Sequence, residues 1–146
     1  MNPQNRRYSV QLRLPSIAEY QTLCRSVGWE PYMNFEAAEA SLEHSLFAAV
    51  VTSASGETVG MGRVVGDGHL YFYIQDIAVL PEHQGQGAGQ LVMEAIAGYL
   101  REHAPDKAFV GLFASKGAEA FYERFGLQQH EGMTGMFGVV HGGEIG

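Results

Sequence analysis

The chain's apolar residues fall alternately into strand-like and helix-like spacings, and the switches between the two divide it into elements. In RYSVQLRL, Tyr8, Val10, Leu12 and Leu14 alternate with polar neighbours, the pattern of a half-buried strand. Ile17, Tyr20, Leu23, Cys24 and Val27 then recur at helical spacing, opened by Pro15-Ser16 and stopped by Gly28. WEPYMNFEAAEASLEHS reads as an aromatic loop followed by a short helix. LFAAVVTS and TVGMGRVVGD are strands joined by the turn ASGE, which makes them a hairpin.

HLYFYIQDIAVL, residues 69–80, is apolar at both parities. Leu70, Phe72, Ile74 and Ala78 face one way, and Tyr71, Tyr73, Ile77 and Val79 the other, so the strand belongs mid-sheet and covered on both sides. Beyond LPEHQGQGAG, residues Leu91, Val92, Ala95, Ile96, Tyr99 and Leu100 form a helical stripe that ends near Ala104-Pro105. KAFVGLFA predicts another buried strand. Ala118, Phe121, Tyr122 and Phe125 line one face of a last helix, with Gly126 just past its end, and LQQHEGMTGMFGVV supplies one or two final strands. The order β-α-α-β-β-β-α-β-α-β predicts an α/β fold: an antiparallel meander, a crossover helix and a parallel neighbour, with helices on the faces of the mixed sheet.

Composition narrows the class of function. The chain has 146 residues, a length that predicts one domain over 1–146, and its 46% apolar and 17% charged residues are ordinary globular usage. A net charge of −7 argues against a nucleic-acid partner and favours a cationic small substrate over an anionic one. Cys24 is the only cysteine, so no intramolecular disulfide forms; its place on an apolar stripe makes it a core residue, and its solitude suits a reducing compartment. MNPQNRRYSVQLRL lacks the apolar region of a signal peptide, and no apolar run reaches the roughly 18 residues of a membrane span, so the expectation is a cytoplasmic protein off the membrane. His44, His69, His83, His103, His130 and His141 show no H-x-x-x-H or H-E-x-x-H spacing, and no metal is expected.

Gly85, Gly87 and Gly89 stand at every second position between a strand and a helix, where glycine is costly to order. Such a turn at a helix N-terminus makes an anion site, because the first helical amides have no internal partners. A dinucleotide fingerprint would need glycine at Gln90, and a phosphate-binding P-loop would need a following Lys-Ser or Lys-Thr pair, so neither fits. A tight turn without a ligand stays open on this stretch alone.

Gln84-Gly85-Gln86-Gly87-Ala88-Gly89 matches Q/R-x-x-G-x-G/A, and the chain resembles the GCN5-related N-acetyltransferases (GNAT) on this and two further stretches. DIAVLPEHQGQGAGQLVMEAI is similar to that family's central strand, loop and crossover helix. SKGAEAFYERFGL is similar to its N-x-x-A-x-x-x-Y-x-x-x-G-F/L segment, with Ala118, Tyr122, Gly126 and Leu127 in register. The likeness runs from about Val59 to Leu127. It implies a mostly antiparallel sheet of six to seven strands with four helices, splayed between the central strand and the parallel strand after it.

The resemblance also implies acetyl-CoA as co-substrate and direct acetyl transfer to a primary amine of a small molecule or peptide. Gln84, Gly85, Gln86, Gly87, Ala88, Gly89 and Gln90 would cradle the coenzyme A diphosphate, and the backbone of Ile77, Ala78 and Val79 would meet the thioester oxygen and the pantetheine arm. Ser115 stands where relatives often carry a cofactor-contacting asparagine, and Lys116 beside it could meet a phosphate. Tyr122 matches the tyrosine that protonates the departing thiolate; a core tyrosine is its other reading. Gln75 stands where some relatives carry a glutamate base, and glutamine takes no proton, which leaves water, Asp76, Tyr73 or a histidine for that role. In a regular strand Asp76 points away from Gln75 and anchors structure. Trp29, Tyr32 and Phe35, with Tyr71 or Tyr73, are the expected acceptor contacts, or else pin the loop to the core. A non-catalytic coenzyme A sensor with a protein partner is the alternative that Gln75 keeps open. The last strands offer a route to a homodimer.

Overall fold

Ser16 starts the first helix by a reciprocal exchange. Its hydroxyl accepts from the Glu19 amide at 3.1 Å, and the Glu19 carboxylate accepts from the Ser16 amide at 2.7 Å. The computed structural model of the chain describes residues 7–146. Helix α1 (Ile17–Ser26) buries Tyr20, Leu23 and Cys24 and ends at Gly28, whose φ of +82° lets the Trp29 amide turn back to the Cys24 carbonyl at 2.9 Å. A 3-10 turn (Glu30–Tyr32) leads to α2 (Phe35–Glu43), whose first amides at Glu36 and Ala37 are capped by the Asn34 side chain.

The chain divides into two compact units, the first ending at Leu112 and the second running from Phe113 to Gly146. The first holds a five-stranded sheet in the order β1 (Tyr8–Gln11), β2 (Phe47–Ser53), β3 (Thr58–Gly66), β4 (Tyr71–Val79), β5 (Phe109–Gly111). All neighbours are antiparallel except β4 and β5, which α3 (Ala88–His103) connects. The helices take opposite faces. A Cβ on Gly62 would strike Val92 and Ile96 of α3 at 2.5 and 3.2 Å, whereas the next residue, Arg63, reaches Ser41 of α2 on the other side. Gly62 therefore lets α3 lie close to the sheet. With both faces covered, the middle residues of β2 and β3 are buried without alternation.

The mixed α/β architecture and its four helices match the expectation, and the details differ at the sheet's edges. β1 stops at Gln11, and Leu12, expected inside, is 70% exposed. Its pairing with β2 ends at Gln11↔Val50, and Arg13 then turns to the Glu19 carboxylate, which removes Leu12 from the sheet. β5 pairs only through Tyr71↔Phe109, Phe72↔Val110 and Tyr73↔Gly111, and Phe109 is exposed, so KAFVGLFA is a short edge and not a buried strand. From Ile74 to Val79, β4 has no strand on that side among the described residues; this is the expected splay.

The second unit contains α4 (Glu119–Glu123) and a ribbon of β6 (Val140–His141) and β7 (Glu144–Ile145). Among the described residues the central sheet thus has five strands, not the six to seven expected, and β6 and β7 pair only with each other. Phe121 packs edge-on against Tyr122 and Phe125, and Gly126 follows with a φ of +93°.

The central strand is not regular. Met61 pairs with Ala78 and Arg63 with Gln75, so Gly62 alone lies opposite Asp76 and Ile77. The extra residue is a β-bulge, and Asp76 adopts a φ of +60°, the left-handed conformation that asparagine and aspartate tolerate best after glycine. The bulge shifts the phase of the strand. Gln75 and Asp76 point to the same side, toward α1 and α2, while Ile77 faces α3. The sequence expectations change from Asp76 onward: Asp76 does not face away from Gln75, Ile77 and Val79 share their face with Ile74 and not with Tyr73, and Ala78 leaves the face of Ile74.

Candidate active site

Asp76 and Arg63 form a buried ion pair at the bulge, with Arg63 Nε 2.7 Å from Asp76 Oδ2. The Tyr20 hydroxyl donates to the same oxygen at 2.9 Å. The rest of the guanidinium donates to the Ser41 carbonyl, the Ser41 hydroxyl and the Ser45 hydroxyl at 3.0–3.1 Å. Burial, reinforced by the negative charge of Asp76, raises the Tyr20 phenol far above its ordinary value, so Tyr20 is a donor and not a base. The same two causes push the Cys24 thiol up to about 11, which with its full burial makes it inert.

Tyr20, Ser41, Arg63 and Asp76 floor a cavity of about 190 Å³ walled by Met33, Asn34, Ala37 and Ala38. Gln75 lines it too, with its amide nitrogen 3.5 Å from Asp76 Oδ1, at the long limit of a hydrogen bond. The cavity opens on apolar α2 residues and on polar side chains of α1, α2, β3 and β4, a mixture that holds a small organic group with one or two polar ends.

On the unpaired flank of β4, backbone direction follows from its neighbours. The Leu80 amide donates to Val59 of β3 at 2.9 Å, so alternation turns the Ile77 and Val79 amides to the open edge and the Ala78 amide to β3. The Val79 carbonyl on that open edge takes a hydrogen bond from the Gln84 side chain at 3.0 Å, which ties the following loop to the strand end.

The loop continues through a 3-10 turn (Pro81–His83) to Gly85 and Gly87, whose φ values are +76° and +94°. A Cβ at either would meet nothing within 4 Å, so no packing in the protein explains these glycines; both turns need the left-handed conformation and leave clear space. Gly87 caps α3, and Ala88, Gly89 and Gln90 form its first turn, where amides lack intrahelical partners. Gln86 is exposed but tied back: its side-chain carbonyl accepts from Arg7 at 2.7 Å and from the Tyr8 hydroxyl at 3.2 Å, and its side-chain amide donates to the Glu82 carbonyl at 3.0 Å. A clear, amide-lined cradle with its side chains tied back fits a diphosphate.

Other expected residues lie elsewhere. Trp29, Tyr32 and Phe35 are absent from the cavity wall, where Met33 and Asn34 of the same loop stand instead. Phe35 packs edge-on against Tyr20 and under Arg25, and Tyr32 is 76% exposed. Tyr73 is partly buried on β4. Ser115, Lys116 and Tyr122 belong to the second unit, where burial raises the Tyr122 phenol above its ordinary value. Arg63, Tyr20 and Ser41 were missed. The available signal was a lone arginine inside VGMGRVV, because a charge in a buried strand requires a partner.

A splayed mixed sheet, a bulged central strand and a glycine turn at the head of a crossover helix define an acetyltransferase scaffold. The model of the acetyltransferase (GNAT) family matches residues 14–127, and the chain belongs to that family and is an N-acetyltransferase. It is 29% identical over 126 residues to an uncharacterized N-acetyltransferase of Porphyra purpurea, covering 84% of this chain and 71% of that protein. A chloroplastic GCN5-related N-acetyltransferase of Arabidopsis thaliana is 30% identical over 140 residues, covering 83% of this chain and 54% of its own length. A Staphylococcus aureus protein of unknown function, described as a probable acetyltransferase, superposes with a TM-score of 0.82 at 36% identity, covering 89% of this chain and 97% of that one.

Proposed function

We propose that the chain transfers an acetyl group from acetyl-CoA directly to the primary amine of a small molecule or peptide. The observation that carries this reading is the left-handed glycine cradle beside the unpaired edge of β4. Bound there, acetyl-CoA supplies an activated acyl carbonyl. The amides at the head of α3 hold its diphosphate, and the Ile77 and Val79 amides on the open edge present donors to the thioester region. Tyr122, protonated at neutral pH, would give its proton to the thiolate and regain one through water from the nitrogen of the attacking amine. The cavity beside Gln75 takes the acceptor, and with no carboxylate at position 75 the amine must reach the carbonyl already neutral or lose its proton to water.

Two relatives bear names that bracket the acceptor class. A histone acetyltransferase of Glycine max is 30% identical over 83% of this chain, and a chloroplastic serotonin N-acetyltransferase of rice is 32% identical over 66%. The cavity's small volume favours a small amine. Thiol release from acetyl-CoA across serotonin, small polar amines and a lysine-containing histone peptide tests the reading, and release with one of them is expected. Tight coenzyme A binding without release from any amine would reject it in favour of a sensor.

A further inference from the structure

We infer that Asp76 is a positioning residue: its ion pair with Arg63 holds the β4 bulge that aims the Ile77 amide from the open edge and sets Gln75 beside the cavity. This rests on the open edge being the acyl-transfer site. The peptide plane between Asp76 and Ile77 is oriented by the backbone angles of Asp76, so the left-handed conformation at Asp76 directly decides where the Ile77 N–H points. The same conformation places two successive side chains, Gln75 and Asp76, on one face.

Three elements hold that conformation. Arg63 of β3 and Tyr20 of α1 both donate to Asp76 Oδ2, and Arg63 is itself held by Ser41 of α2 and by Ser45. The Arg63 and Asp76 side chains are 10% and 4% exposed, so their contact is shielded from solvent. A buried ion pair adds little to stability over well-packed apolar groups, because desolvation offsets the attraction. What it supplies here is direction. The carboxylate cannot swing without breaking two hydrogen bonds and leaving a buried guanidinium unpaired.

The test compares the full chain with Arg63→Met/Asp76→Leu, in which both charges leave together and apolar groups fill the space. Backbone chemical shifts and scalar couplings read φ at residue 76. Calorimetry with coenzyme A reads the cradle, and thiol release with serotonin or the histone peptide reads transfer. The variant is expected to keep its melting temperature within about 5 °C and its coenzyme A affinity within about threefold. Residue 76 should move to negative φ, and kcat should fall about tenfold or more. A positive φ retained, or wild-type kcat after φ has changed, overturns the proposal. If this variant does not fold, the milder Arg63→Met/Asp76→Asn pair is judged by the same kcat criterion at matched melting temperature. A wild-type chain that acetylates nothing counts against the proposed function, and φ at residue 76 then decides the proposal alone.

Discussion

The Tyr8 hydroxyl lies 2.8 Å from His83 Nδ1 and so fastens the first strand to the loop that precedes α3. Tyr8 is buried at its ring and reaches Gln86 Oε1 as well, so one phenol braces both the 3-10 turn and the cradle. Tyr8→Phe keeps the packing and removes both contacts. Losing about 1 kcal/mol of loop order should weaken coenzyme A binding up to about fivefold. Calorimetry against a urea melt separates the loop from the fold; equal loss in both would show that the brace serves the whole unit.

Gly87 carries a sharper expectation. An added Cβ meets no protein atom, but the positive φ makes alanine or valine there costly by roughly 1–2 kcal/mol. Gly87→Val should fold with reduced stability and bind no coenzyme A detectably. Full affinity in the folded variant would remove the cradle from the site.

Tyr122→Phe deletes only the hydroxyl. Turnover should drop by about 10²-fold with little change in acetyl-CoA affinity, because the proton for the thiolate is lost and the packing is kept. Since burial raises this phenol above its ordinary value, no alkaline loss of activity belonging to Tyr122 is expected below that value. Equal turnover in the two proteins would make Tyr122 a packing residue.

The pH–rate profile tests Gln75. The rate should climb toward the pKa of the amine itself, with no plateau from an enzyme carboxylate, and Gln75→Ala should cost a few-fold, far below the roughly 10²–10⁴ of a lost base. A plateau near neutrality that ignores the amine's identity would reveal a base elsewhere.

Glu19 makes the fold sensitive to acid. Its carboxylate accepts from Arg13, from the Ser16 amide and from the Thr58 hydroxyl, and the Arg13 hydrogen bond leads in lowering its pKa from 4.5 to about 2. A carboxylate held below its unfolded value adds stability above pH 4.5, and the addition disappears as pH falls from 4.5 through 2. Glu19→Gln should lower stability by about 1 kcal/mol at neutral pH and flatten the acid slope. Urea melts between about pH 7 and pH 3 measure both, and an unchanged slope would contradict the assignment.

Much of this was legible in the residues. Ser16 and Gly28 mark the ends of α1 because caps are local chemistry, and the glycine turn before α3 is legible because φ > 0 selects its residue. The bulge was not, since an alternation rule assumes one residue per step, and a single left-handed Asp76 breaks the count for everything after it. Met33 and Asn34 were passed over for their aromatic neighbours because side-chain size says nothing of direction, and the cap at Asn34 turns the chain so that Phe35 packs against α1.

Cys24 gives the molecule a built-in clock. It is sealed on the buried face of α1, its thiol is pushed up to about 11, and the chain has no other sulfhydryl to compete with it. A thiol reagent in excess can reach it only when α1 leaves the sheet, so the rate of labelling counts openings of the native structure one molecule at a time. Acetyl-CoA, which carries no free thiol, should slow that count in proportion to its occupancy if it binds only the closed form. The same lone side chain thereby reports how long the fold lasts between openings, without any engineered probe.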